Sequence, residues 1–185
     1  MKDPNIRISK FLSLVLRHAP ETIAVSLDKN GWIDVDTLLA AAEAHGTSIS
    51  RERLDELVYT NDKQRFAFSD DGSRIRANQG HSVDVDLELV AVAPPAQLFH
   101  GTATRCLDSI LESFSQSQSR QHVHLSGSAA LAQRVGARHG NPVTLIVQSA
   151  QMHADGMAFY LSRNGVWLTA EVPVEYFELP KSDAI

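Results

Sequence analysis

The spacing of the apolar residues changes along this chain, and that change limits the fold more than any other feature. From Ile8 to His18, the residues Ile8, Phe11, Leu12, Val15 and Leu16 recur at helical intervals until Pro20 stops the run. Asp28-Lys29-Asn30-Gly31 reads as a turn and Trp32-Ile33 as a short extended piece. Asp36 is expected to cap a helix through Leu38, Leu39 and Ala42, and Ser50 a further helix carrying Leu54, Leu57 and Val58. After Asn61 the period shortens to two: Phe66 and Phe68, a turn at Asp70-Asp71-Gly72, then Ile75 in a returning strand. Three helices followed by a hairpin predict a winged-helix lobe of roughly 80 to 90 residues, a domain type often used on nucleic acid.

A strand is expected over Leu87 to Val92, and Pro94-Pro95 then marks a stiff junction. Beyond it strands dominate. Leu98-Phe99-His100 reads as a strand entering a Gly-Thr turn and a helix through Ile110. Strands follow at His122 to Leu125, Val143 to Val147, Phe159-Tyr160, Val166 to Thr169 and Tyr176 to Leu179, with a helix over Ala129 to Ala137. Ser113 to Gln121 is a polar, low-complexity loop. The expected fold class is α+β, with a first lobe over 1–92 and a mixed, mostly antiparallel sheet lobe over 93–185.

Composition narrows the setting. At 185 residues with 43% hydrophobic content, the chain has material for a real core. Met1 to Lys10 lacks an apolar signal core, and no apolar run approaches the ~20 residues that span a bilayer. Its one cysteine, Cys106, excludes an internal disulfide and a thiolate zinc cluster, which fits a reducing compartment. A cytoplasmic monomer with no membrane partner is expected. The net charge of -5 argues against broad attraction to nucleic acid, so RNA binding must come from cations gathered locally.

Six segments supply such cations beside Gly, Ser, Thr or Asn: Arg17-His18, Asn61 to Phe66, Gln79 to Ser82, His100-Gly101-Thr102, Arg120 to Ser126 and Asn164 to Thr169. Guanidinium forks match phosphate oxygens, imidazole donates to them, and small residues let backbone donors come close. Each segment also has a bland reading. Arg17-His18 suits any helix C-terminus, Arg65 suits a solvated hairpin, and His100-Gly101-Thr102 suits a plain turn. In the other reading of that turn, the glycine lets a ligand approach the backbone. His122-Val123-His124 puts both imidazoles on one sheet face, yet no cysteine or defined carboxylate completes a ligand set, so no metal is expected. G-x-G-x-x-G, a Walker loop and a G-x-S-x-G elbow are all missing.

Together these strings resemble the RNA 2'-phosphotransferase family. The resemblance rests on S-K-F-L-S-L-V-L-R-H from Ser9, L-D-K-N-G-W from Leu27, N-D-K-Q-R-F from Asn61, I-R-A-N-Q-G-H-S from Ile75, L-F-H-G-T from Leu98, R-Q-H-V-H-L-S from Arg120, V-G-A-R-H-G from Val135 and N-G-V-W-L-T from Asn164. It implies a winged-helix RNA-binding lobe followed by an ADP-ribosyltransferase-like NAD lobe. It also implies an enzyme of the tRNA-splicing kind that removes an internal 2'-phosphate from RNA, with NAD as co-substrate. The family's essential set falls on Arg17, His18, Arg65 and Arg120, and its NAD-binding positions on His100, Gly101, Thr102, His124, Ser126 and Val166. The implied reaction passes through an ADP-ribosylated 2'-phospho-RNA intermediate and gives 2'-OH RNA, ADP-ribose 1'',2''-cyclic phosphate and nicotinamide. Protein-modifying relatives carry a catalytic glutamate on the third strand, where this chain has Asn164-Gly165-Val166. Two rivals are an ADP-ribosyltransferase acting on nucleic-acid terminal phosphates and a winged-helix nucleotide-sensing regulator.

Overall fold

The computed structural model describes residues 4–61, 63–113, 115–116 and 121–179. The chain divides into two compact units, Met1–Glu88 and Leu89–Ile185. The first contains α1 (Pro4–Arg17), β1 (Ile33–Asp34), α2 (Val35–Ala44), α3 (Arg51–Thr60), β2 (Phe66–Phe68) and β3 (Arg74–Ala77). The strands form an antiparallel sheet in the order β1-β3-β2, with Ile75 opposite both Ile33 and Phe68.

The core of this unit follows the helical spacing. Leu12, Val15 and Leu16 of α1 pack with Leu38 and Ala42 of α2, Leu54 and Leu57 of α3, and Phe66 and Ile75 of the hairpin, all buried. Ser50 caps α3 as expected, accepting from the Arg53 amide at 3.2 Å. The cap of α2 is Asp34 rather than Asp36. Asp34 Oδ1 accepts the Thr37 amide at 2.8 Å, because the helix starts two residues earlier, as soon as Ile33 has paired with Ile75. Both carboxylates lie near the start of α2, and only the strand pairing decides between them. The hairpin turn is tied back to α3: Arg51 donates to the Gly72 carbonyl at 2.9 Å and pairs with Asp55 at 2.9 Å.

The second unit runs β4 (Leu98–Ala103), α4 (Leu107–Ser113), β5 (Ser115–Gln116), β6 (Val123–Leu125), α5 (Ala129–Gly136), β7 (Pro142–Val147), α6 (Ser149–Ala154), β8 (Tyr160–Leu161), β9 (Trp167–Thr169), β10 (Glu171–Val172) and β11 (Phe177–Glu178). Its sheets have the orders β11-β7-β4, β6-β9-β8 and β10-β5, and every described strand pair in the chain is antiparallel. The chain is therefore α+β, with small antiparallel sheets. Leu98, Val123, Leu125, Val147, Met152, Phe159 and Val172 form a second core.

Two expectations of local structure, at Leu87 to Val92 and at His100-Gly101-Thr102, are corrected. Leu87 to Val92 is not a strand; only Ala91 makes a bridge, to Tyr160, because the rest of that alternating stretch has no ladder partner. The division between units falls after Glu88, whereas Pro94-Pro95 lies within the second unit, where the Pro95 carbonyl accepts the Ser149 hydroxyl at 2.7 Å. His100-Gly101-Thr102 is not a turn. It is the middle of β4, paired with Leu145, Thr144 and Val143 of β7.

Candidate active site

In the first unit, α1 ends where its last carbonyls need partners. The Arg17 carbonyl accepts the amides of Ser82 at 2.9 Å and Val83 at 3.3 Å, so a segment 65 residues further along the chain caps the helix. That cap fixes the next side chain: Ser82 Oγ lies 2.9 Å from His18 Nδ1. His18 is exposed and Arg17 half-buried, with its guanidinium carbon 5.9 Å from the Phe66 ring centre.

Arg65 enters from the hairpin. Arg17 Nη2 donates to the Arg65 carbonyl at 3.4 Å, and Arg65 Nη1 donates to Asn61 Oδ1 at 3.4 Å. The preceding residue, Gln64, has φ of 40°, a left-handed conformation that is costly outside glycine. Buried Asn78 holds it there: its side-chain amide donates to the Gln64 carbonyl and its backbone amide to the Arg65 carbonyl at 2.9 Å. The structure thus brings Arg65 to the Arg17-His18 pair, from which it is distant in sequence. Arg120 lies outside the described residues.

Ser82 closes the expected Gln79 to Ser82 segment without being one of the named site residues, and Asn78 immediately precedes that segment. Their signal was the I-R-A-N-Q-G-H-S string, which offered no reason to link it to residue 17. The same string contributes His81, whose side chain is 1% exposed. Burial first, then the charges of Arg17, His18 and Arg76, push its imidazole down to about 4, so it is neutral at physiological pH.

In the second unit, β4 and β6 come together through a reciprocal bridge: the Phe99 amide donates to Ser126 at 2.9 Å, and the Ser126 amide returns to Phe99 at 2.8 Å. His100 Nδ1 lies 3.3 Å from the His124 carbonyl, so His100, His124 and Ser126 are neighbours. Burial pushes the imidazoles of His100 and His122 below their usual range; for His100 the bond to the His124 carbonyl opposes the shift. His122 meets the Tyr160 ring edge-on at 5.8 Å, and Phe177 lies 6.3 Å from His100. Val166 precedes β9 in a tight turn, its amide and carbonyl both bonded to Ser162 Oγ, at 3.0 and 2.9 Å.

Gly101 answers to a different constraint from the expected one. A Cβ built there would lie 1.8 Å from the Ala132 carbonyl oxygen of α5, and one at Gly136 would lie 2.3 Å from the Thr102 carbonyl oxygen. The two glycines let α5 sit directly on β4. Thr102, at 7% exposure, is buried beneath that contact.

Among the described residues no three His, Cys, Asp or Glu side chains gather as a metal-ligand group, and no helix is long and apolar enough to cross a membrane. What the geometry offers is a cation and imidazole cluster in one unit and an imidazole, hydroxyl and aromatic cluster in the other, a combination suited to a transferase that handles phosphate.

Comparison with known proteins defines that class. Residues 3–171 match the model of the family described as RNA 2'-phosphotransferase, Tpt1 / KptA family, and the chain belongs to that family. It is similar to the probable RNA 2'-phosphotransferase of Agrobacterium fabrum, 57% identical over 168 residues that cover 91% of this chain and 90% of the relative. A protein of the same description from Hahella chejuensis is 54% identical over 171 residues, 92% of each chain. Another from Streptomyces coelicolor is 49% identical over 179 residues, 97% of each. The chain is accordingly an RNA 2'-phosphotransferase, an activity that uses NAD by the definition of its family.

Proposed function

We propose that Arg17, His18 and Arg65, together with Arg120, hold the 2'-phosphate of an RNA strand, and that His100, Gly101, Thr102, His124, Ser126 and Val166 belong to the framework that receives NAD. On this reading the first unit is a winged-helix RNA lobe and the second an ADP-ribosyltransferase-like lobe. The observation that carries the phosphate assignment is the meeting of three distant polar segments: Arg17 on the Arg65 carbonyl, and Ser82 on both the Arg17 carbonyl and the His18 ring. A helix end needs one cap. It does not need a second arginine and an oriented imidazole beside it.

The chemistry follows from what these groups do. Guanidinium groups stay charged and bind two phosphate oxygens at once, so Arg17 orients the anion and Arg65 stabilises charge at phosphorus in the second step. The Ser82 hydroxyl engages His18 through Nδ1 and so orients the imidazole beside the phosphate. There it donates a hydrogen bond to a phosphate oxygen or a proton to the departing RNA 2'-oxygen. NAD supplies the ribose carbon that the phosphate attacks, with nicotinamide as the leaving group.

The second unit's residues fit such a co-substrate by their chemistry. Half-buried His100, His122 and His124 are kept company by the Tyr160 and Phe177 rings, which suits flat heterocycles, and Ser126 adds a hydroxyl. Gly101 and Thr102 belong to the frame beneath, where they seat α5. The reaction is proposed to need no metal and to be carried out by a cytoplasmic monomer on RNA bearing an internal 2'-phosphate.

The test uses an oligoribonucleotide with one internal 2'-phosphate, incubated with and without NAD and with a metal chelator. NAD-dependent, chelator-resistant formation of 2'-OH RNA and ADP-ribose cyclic phosphate is expected. A stable ADP-ribosyl adduct as the end product would favour the terminal-phosphate rival, and loss of turnover in chelator would contradict the metal-free assignment.

A further inference from the structure

His81 occupies a place where phenylalanine would be the stabler choice. Its ring is among the most buried large side chains of the chain, and neither ring nitrogen has a hydrogen-bond partner among the described residues. Burying an imidazole in that state is unfavourable, since both nitrogens lose water and gain nothing. The ring is wedged between two structures. On one side is the turn at Gly31, where an added Cβ would lie 3.5 Å from His81 Nε2. Arg76 braces that turn, donating to the Asn30 carbonyl at 3.3 Å and stacking on Trp32 at 4.4 Å. On the other side is the end of α1, whose Arg17 carbonyl is capped by the two residues after His81.

The titratable groups that bear on the ring are Arg17, His18 and Arg76, all cationic or able to become so. Burial first, and then these charges, keep the imidazole neutral, hence with one acceptor nitrogen and one N–H. Resting on the phosphate assignment above, we infer that His81 is a positioning residue for the Arg17–His18 pair: with phosphate bound, its neutral imidazole accepts from the Arg17 guanidinium and locks that side chain behind the anion. The buried acceptor nitrogen gains its partner in the complex. Ser82, on the adjacent residue, passes the same constraint to His18.

The experiment compares full-length His81→Phe, His81→Gln and Arg17→Ala with the unaltered protein, measuring kcat and KM for the 2'-phosphorylated oligoribonucleotide at saturating NAD, and the Tm of each. His81→Phe keeps the ring shape without nitrogens. It should melt at the same temperature or higher while kcat falls roughly ten- to hundredfold, the scale of a misplaced catalytic group. His81→Gln, which restores a side-chain acceptor, should recover most of that loss. Wild-type kcat in His81→Phe, or equal losses in Phe and Gln, would overturn the inference. An Arg17→Ala protein that turned over normally would instead overturn the phosphate assignment beneath it. A measurement on the unaltered protein stands apart from folding of any variant: the 15N shifts of the His81 ring should move when the oligonucleotide binds without NAD, and unmoved shifts would overturn the inference as well.

Discussion

The two units build their polar clusters in opposite ways. In the first, the cationic residues stand at the edges of elements: Arg17 is the last residue of α1, His18 follows it, and Arg65 precedes β2. They are held by long-range bonds from Ser82 and Asn78, outside the ladders that make the fold. In the second, His100, Gly101, Thr102 and His124 are inside β4 and β6, fixed by sheet pairing and, for Gly101, by a helix lying on the backbone. Chemistry and folding can therefore be separated by mutation in the first unit and remain entangled in the second.

The largest effect expected from this contrast is Arg17→Ala. It should lower turnover on the order of 10² to 10⁴-fold, the loss of a charge-assisted contact to the reacting group, with little change in Tm. Assays of kcat beside thermal melts check both halves; a large drop in Tm would erase the distinction between the units. Gly101→Ala should behave the other way. With its Cβ inside the Ala132 carbonyl, α5 must shift, at a cost of about 3 kcal/mol or more. Chemical denaturation should register the loss, and activity should fall only as far as the folded fraction does.

Acid separates the two units further. His81, in the first unit, is held down to about 4 against an ordinary value near 6.5, so the unfolded chain binds more protons between those values. The stability tied to its neutral ring is fully present above about pH 6.5 and lost as pH falls toward 4, up to about 3 kcal/mol. His81→Phe should remove that part of the acid sensitivity and leave the part due to His100 and His122, which burial also pushes down. Denaturation curves at pH 7 and pH 4 would show it; an unchanged difference between the two pH values in His81→Phe would contradict the burial of a neutral ring.

How much of this was legible in the sequence follows from the range of the interactions concerned. The helix ending at Arg17 and the Ser50 cap were readable because apolar spacing and capping act within a few residues. The α2 cap was misplaced from Asp34 to Asp36 because the deciding bond, Ile33 to Ile75, spans the domain. His100-Gly101-Thr102 looked like a turn since glycine there serves α5, an element some 30 residues away. The short α6, over Ser149–Ala154, and β10 were not anticipated; each is too brief for a period to show. In the site, local chemistry singles out Arg17, His18, Arg65 and the Gln79 to Ser82 segment, while the contacts through which Asn78, His81 and Ser82 act are created only by folding.

Single-turnover analysis of His18→Ala and Arg65→Ala shows whether the first-unit cluster handles the phosphate itself. Each variant, mixed with NAD and an internally 2'-phosphorylated oligoribonucleotide, should consume substrate and accumulate the ADP-ribosylated RNA, because the groups needed at phosphorus in the second step are gone. Slowed loss of substrate with no intermediate at any time would contradict their assignment to that step, and unslowed turnover in both would contradict the phosphate site altogether.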